Sequence, residues 1–171
     1  MIKVLGIDPG IERLGWALLE SENKKFRYLS SGVKKTLKTD LQSKRLLEIH
    51  NFLDKLILEE QPNFLSLERL FFSKNVKTAM VVGEVRGVIL MLASKHNMEI
   101  AEFGPNEIKL TLAGYGKADK KSVLNMVKMT VSIPDKKITD DESDALAIAC
   151  CGVIHSNAFQ TYRNQLFSKK D

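Results

Sequence analysis

The stretch Thr139-Asp140-Asp141-Glu142-Ser143-Asp144 crowds acids at the start of the apolar run Ala145-Leu146-Ala147-Ile148-Ala149. Thr139 with Glu142 three residues on is a capping-box pattern, which starts a helix. Asp141 and Asp144 are spaced i, i+3, so both carboxylates leave one helical face. Acids at a helix start also stabilise it through the dipole, by about 0.3–1 kcal/mol. Capping and solvation are enough to explain Asp140 and Glu142. Asp141 and Asp144 become chemically interesting only if carboxylates from elsewhere join them.

Two can. Asp8 closes the apolar stretch Ile2 to Asp8, and Glu68 closes Phe64 to Glu68. Each has a plainer reading: Asp8-Pro9-Gly10 is a common turn, and Glu68 has Arg69 beside it for an ion pair. If both stretches are parallel inner strands, their C-terminal ends face the same sheet edge, where ligands bind. The acidic helix can then lay Asp141 and Asp144 across that edge. Like charges about 4 Å apart repel by about 4 kcal/mol at an effective dielectric of 20. Such a cluster needs cations, and hard carboxylate oxygens suit Mg²⁺ or Mn²⁺ rather than zinc. A pair of these ions can clamp the attacking and leaving oxygens of a phosphoryl displacement.

The elements that must position these groups follow from the pattern. Ile2 to Asp8, Leu14 to Leu19 and Phe26 to Val33 read as strands with short polar connections, an antiparallel meander. Leu41 to Glu60 has helical spacing at Leu46, Ile49, Leu53, Leu56 and Ile57, with Asp40 placed to cap it. Phe64 to Glu68 is a strand. Val76 to Lys95 is a helix apolar around much of its circumference, with Gly83 and Gly87 four apart, so it is either central to the core or an oligomer face. Glu99 to Phe103 is a strand, and Pro105 opens a helix to about Ala113. A further helix spans Lys120 to about Val131, and the acidic helix follows Pro134. This order predicts an α/β fold with one mixed five-stranded sheet flanked by helices. The domain is expected over 1–155, with a tail over 156–171 of no clear period and partial disorder.

The chain has 171 residues, 44% apolar and 27% charged, the ordinary composition of a single globular domain. It lacks an apolar run of membrane-spanning length and a signal-peptide pattern, so a cytoplasmic protein is expected. Cys150 and Cys151 are adjacent and read as buried hydrophobes, and His50, His96 and His155 are scattered without zinc spacing. The net charge of +5 is compatible with a polyanionic partner. Lys109, Lys117, Lys120, Lys121 and Lys128 cluster around the flexible Gly114-Tyr115-Gly116. A second basic zone, Lys34 to Arg45, reads as solvated surface. Phe71 and Phe72 precede Ser73-Lys74-Asn75 in a loop, where aromatics beside a lysine suit base stacking as well as packing.

Taken together, Gly6-Ile7-Asp8-Pro9-Gly10, Leu67 through Asn75, and Asp141 through Ala149 resemble the RuvC family of bacterial Holliday-junction resolvases. The resemblance extends to Arg86-Gly87-Val88 and to the segment from Ile108 to Lys120, in matching order and spacing. It implies an RNase H-like fold and a homodimer whose two sites nick the symmetric strands of a four-way DNA junction, with Mg²⁺ or Mn²⁺, two ions per site. It assigns Asp8, Glu68, Asp141 and Asp144 as metal ligands and catalytic acids. Phe71 matches the family's junction-probing aromatic, and Lys109 and Lys120 its DNA contacts. Phe72, Lys74, Asn75, Lys117 and Lys121 lie beside these as further DNA-binding candidates. The long glycine-containing helix matches the dimer-forming region, and RuvA and RuvB are the implied protein partners. Some relatives carry His at the position of Asp141, where this chain keeps Asp.

Another RNase H-like nuclease, an actin-like ATPase or sugar kinase, and a binding module are the competing readings. A YqgF-type nuclease acting on RNA would share the Asp-Pro-Gly strand but not the Phe71 loop. An actin-like ATPase needs two lobes, more than 171 residues supply. A non-catalytic junction-binding module would be favoured by loss of an acid, and all four are present.

Overall fold

The computed structural model describes residues 1–22, 25–69 and 76–167. Strands β1 (Ile2–Asp8), β2 (Arg13–Glu22) and β3 (Lys25–Lys35) form the antiparallel meander. β2 and β3 run past their apolar centres because ladder hydrogen bonding carries polar flanks such as Glu20 and Lys34 into the strands.

Helix α1 (Gln42–Glu60) buries Ile49, Leu53 and Ile57. Its N-cap is Leu41, with no side-chain cap. Asp40, expected in that role, instead pairs with Lys44 at 3.0 Å, so its carboxylate holds the first turn by charge. Gln61 ends the helix in the left-handed region, at φ 49°.

Strand β4 (Phe64–Glu68) then pairs parallel to β1, with Leu5 opposite Leu65 and Ile7 opposite Leu67. Helix α2 (Val76–Lys95) leads to β5 (Glu99–Phe103), parallel to β4. The sheet order is β3-β2-β1-β4-β5, the mixed five-stranded sheet that the pattern predicts. Helices α3 (Pro105–Ala113), α4 (Lys120–Thr130) and α5 (Asp140–Phe167) complete the chain. Asp119 caps α4, its carboxylate accepting from the Ser122 N–H at 2.7 Å.

Side chains alternate along each strand, so the sheet has two apolar faces. Leu5, Ile7, Leu65 and Leu67 pack with α1 and α2. Val4, Ala17, Leu19 and Phe64 pack with α3, α4 and α5. Helix α5 lies very close to the sheet: a Cβ on Gly6 would stand 2.5 Å from the Ala149 nitrogen. The buried Ser66 hydroxyl donates to the Ile148 carbonyl at 2.6 Å and ties α5 to β4. Cys150 and Cys151 are buried free thiols, as expected.

Helix α5 passes the expected boundary at residue 155 and continues to Phe167. Residues 156–167 contain no Gly or Pro. Propagation from an existing helix is cheap compared with nucleation. No apolar period was needed there, which is why the sequence reads as a tail. Among the described residues, no helix is long and apolar enough to cross a membrane.

Candidate active site

The parallel pairing of β1 and β4 sets Asp8 and Glu68 at the same sheet edge, one residue beyond the Ile7–Leu67 pair. The start of α5 arrives there because β2 lets it. Gly15 lies opposite Asp8 in the β1–β2 ladder. A Cβ on Gly15 would overlap the Asp141 carbonyl oxygen. Only a glycine leaves room for the first turn of α5, and that turn brings Asp141 and Asp144 to the edge. The four acids nominated from the sequence therefore meet, from β1, β4 and α5.

Their charges act on one another. Burial, followed by the neighbouring Glu68, Asp144 and Asp141 carboxylates, pushes the Asp8 carboxyl up to about 7, against a smaller opposing pull from Lys120. Glu68 is also raised, by burial and then by Asp144, with Lys120 and Arg86 opposing. Lys120, at the start of α4, donates to Asp144 at 2.7 Å, and that hydrogen bond raises its own ammonium. Arg13, at the start of β2, donates through Nε to Asp141 at 2.6 Å.

The carboxylates, of which Asp8 and Glu68 are destabilised as anions, are of the oxygen type that hard divalent cations take. Among the described residues no three acids converge as a finished cage. Arg13 and Lys120 already hold the two helix-borne acids. Both are half-buried in open ion pairs, so rotation of either carboxylate off its cationic partner is cheap while the backbone placement is set. The chemistry of the donor set fits such an ion.

Beside the acids lies a cleft of about 340 Å³, lined by Glu68, Lys109, Lys120 and Asp144 over a floor that includes Ile108, Val123 and Ile148. Lys109 and Lys120 are thus brought to the acids. Lys117 and Lys121 are exposed and outside the cleft lining. Phe71, Phe72, Lys74 and Asn75 lie outside the described residues.

Glu142, expected to be solvated, is 5% exposed. Burial pushes its carboxyl up, but hydrogen bonds from Lys136 and the Ser31 hydroxyl outweigh this and hold it below the usual range. Those bonds, at 2.6 and 2.7 Å, fasten the first turn of α5 to β3. Asp140 is exposed, as the solvated reading expects.

Two residues at the site are given no role from the sequence. Arg13 is one; the signal for it is a basic residue at the start of the strand that returns antiparallel to β1, hence at the edge where Asp8 ends. Arg86, 8% exposed on α2, is the other. Its guanidinium donates to the Glu68 carbonyl and to the Glu102 carboxylate. A charged residue amid an apolar helix is its signal, since a buried Arg needs partners.

Comparison with known proteins gives one answer. The family model described as crossover junction endodeoxyribonuclease RuvC matches residues 4–152. A crossover junction endodeoxyribonuclease RuvC of Alkaliphilus metalliredigens is 42% identical over 158 residues, 92% of this chain and 96% of that protein. The protein of the same description from Rickettsia prowazekii is 42% identical over 146 residues, 85% of this chain and 93% of that one. Among solved structures, Thermus thermophilus RuvC in complex with Holliday junction substrate superposes with a TM-score of 0.82 at 31% identity. That match covers 87% of this chain and 91% of that one.

Proposed function

The chain belongs to the RuvC family of crossover junction endodeoxyribonucleases, and from that premise we propose how its site resolves a four-way DNA junction. The mixed sheet with its flanking helices is the RNase H-like fold. The observation that carries the reading is the meeting of Asp8, Glu68, Asp141 and Asp144 at one sheet edge, beside a cleft that holds Lys109 and Lys120.

Asp8 and Glu68 sit on adjacent central strands and form the rigid half of the ligand set. Asp141 and Asp144 form the other half, on the first turns of a helix clamped to β3 through Glu142. The four acids would hold divalent cations, Mg²⁺ with Mn²⁺ able to substitute and two per site, which when bound would supply Lewis acidity at the scissile phosphate and acidity to the attacking water. Lys109 and Lys120 hold the phosphate in the cleft, with Lys117 and Lys121 adding charge along the approach of the strand. Phe71 stacks on an opened base, and Phe72, Lys74 and Asn75 extend that contact.

Paired nicks need two copies. The outward stripe of α2 supports a homodimer: Met80 is 63% and Met91 52% exposed, and a Cβ at Gly83 or Gly87 would touch nothing within 4 Å. An exposed apolar stripe with small residues lets a second helix approach closely. Residues 1–155 form the nuclease domain of each copy. RuvA and RuvB are its partners in moving the junction, and the bacterial cytoplasm, where the DNA lies, is its compartment.

The test compares a four-way junction with a linear duplex of the same sequence, with and without Mg²⁺. The junction is cut in symmetric positions and the duplex is not; equal cutting of both rejects the reading, and cutting in chelator rejects the role of the ion.

The raised Asp8 adds a pH dependence. Its carboxyl, at about 7, carries a proton at pH 6 that a cation must expel. Mn²⁺ affinity without DNA therefore rises about tenfold between pH 6 and pH 8, with proton release. Calorimetry in buffers of different ionisation enthalpy measures both, and equal affinity at the two pH values removes Asp8 from the ligand set.

A further inference from the structure

Arg13 belongs to no motif, yet it touches the site more closely than most residues that do. Its Nε stands 2.6 Å from Asp141 Oδ2, a contact across 128 residues of sequence. The contact is built from the backbone up. Gly10, in the turn that follows Asp8, lies so close to Arg13 that a Cβ there would overlap the Arg13 carbonyl oxygen. Arg13 is therefore seated against the turn that Asp8 begins. Residues i and i+2 of a strand share a face. Gly15, two residues on, lies under the Asp141 backbone. Thus β2 presents Gly15 to the main chain of α5 and Arg13 to the side chain of Asp141.

The arrangement has a counterpart across the site. Asp144, the other helix-borne acid, is held at 2.7 Å by Lys120. Each of the two acids on α5 thus has its own cation, one from β2 and one from α4. Neither pair is sealed: the side chains are 37% and 26% exposed for Arg13 and Asp141, and 67% and 39% for Lys120 and Asp144. Pairs this open exchange partners at small cost. Among the described residues neither Asp8 nor Glu68 forms a side-chain ion pair, and burial raises both carboxyls.

The geometry points to Arg13 as an exchangeable counter-ion: it holds Asp141 until a divalent cation takes that carboxylate, and its freed guanidinium then grips a phosphate of the strand in the site. The inference rests on the metal-binding reading above. The Arg13 guanidinium beside Asp141 repels a divalent ion on that carboxylate, so binding of the ion loosens the ion pair. A guanidinium released at this edge is anchored by its backbone next to Asp8. It carries a planar fork of donors that matches phosphate oxygens, so phosphate is its best remaining partner. Arg13 is thereby placed on the opposite side of the acids from Lys109 and Lys120, and the strand is held from both flanks.

The experiment uses the full chain and three proteins: the parent, Arg13→Gln and Arg13→Lys. Mn²⁺ binding without DNA is measured by calorimetry, and junction binding in Ca²⁺ is measured across a salt series. Removal of the competing charge in Arg13→Gln tightens Mn²⁺ binding by about 3- to 10-fold. It also lowers the salt slope of junction binding by about 1, the loss of one phosphate contact. Arg13→Lys keeps the charge and stays near the parent in salt slope. Unchanged or weaker Mn²⁺ binding in Arg13→Gln overturns the exchange, and an unchanged salt slope overturns the phosphate contact. Absence of Mn²⁺ binding in the parent itself would instead remove the metal-site reading on which the inference stands. Circular dichroism of each variant confirms that the fold is kept.

Discussion

Asp8→Asn binds a four-way junction and leaves it uncut. The amide keeps the size and place of the carboxyl at the end of β1 but cannot supply an anionic oxygen to a cation. Cleavage falls by about three orders of magnitude or more, the scale seen when a member of a catalytic unit is removed. Binding is kept or improved, because one negative charge no longer faces the phosphates. The same variant has a second signature. In the parent, the folded Asp8 carboxyl is raised from 3.8 to about 7. Below pH 4 both folded and unfolded chains hold the proton, and nothing is lost. Between pH 4 and pH 7 the unfolded chain ionises first, so stability falls as pH rises. Above pH 7 the full cost of a buried anion among carboxylates is present. Asp8→Asn removes that cost, so at pH 8 without divalent ions it is more stable than the parent by about 2–4 kcal/mol. That corresponds to a rise in melting temperature of about 5–10 °C. Near pH 4 the two proteins melt together. A variant that is less stable at pH 8, or that still cuts, would make Asp8 a structural residue.

Gly15→Ala is the second large effect, and it acts on the scaffold. The added methyl overlaps the Asp141 carbonyl oxygen and lies 3.3 Å from the Ala145 Cβ. Both neighbours belong to the first turns of α5, one of them backbone, so no side-chain rotation relieves the clash. The helix start must lift from β2, away from Glu142's anchorage on β3 and from the Asp8 edge. Overpacking of this kind costs about 3 kcal/mol or more. Displacement of Asp141 by about 1 Å lowers cleavage by about 100-fold. Urea unfolding and single-turnover cleavage measure the two losses. A cost below about 1 kcal/mol with full activity would show that α5 is loosely seated.

The parts of the site written in local pattern were legible before any coordinates. Asp8 and Glu68 each stop an apolar run, and an acid that ends a strand is visible in a few residues. Asp141 and Asp144 carry their own helical spacing. The sheet followed from strand order alone. Arg13 was not legible in this way, because its partner is 128 residues away and nothing near it signals a carboxylate. Arg86 stood in a recognised motif, but its partners, the Glu68 backbone and Glu102, come from two other strands. Asp40 shows the reverse error: local pattern offered a cap, and the ion pair with Lys44 took the carboxylate instead. Glu142 was misjudged as solvated because its burial depends on Ser31 and Lys136 arriving from outside the helix. Local rules describe what a residue can do, and tertiary neighbours choose among those options.

The placement of α5 over β1 has a consequence for how the protein is made. Strand β1 leaves the ribosome well before the helix that covers it. A nascent chain carries Asp8 well before it carries Asp141 and Asp144. Through that interval the Val4 and Gly6 face of β1 has no cover from α5, and the ligand set is half complete. If the four acids act together, as proposed, a chain without α5 does not cut, and cutting power appears only when that helix docks.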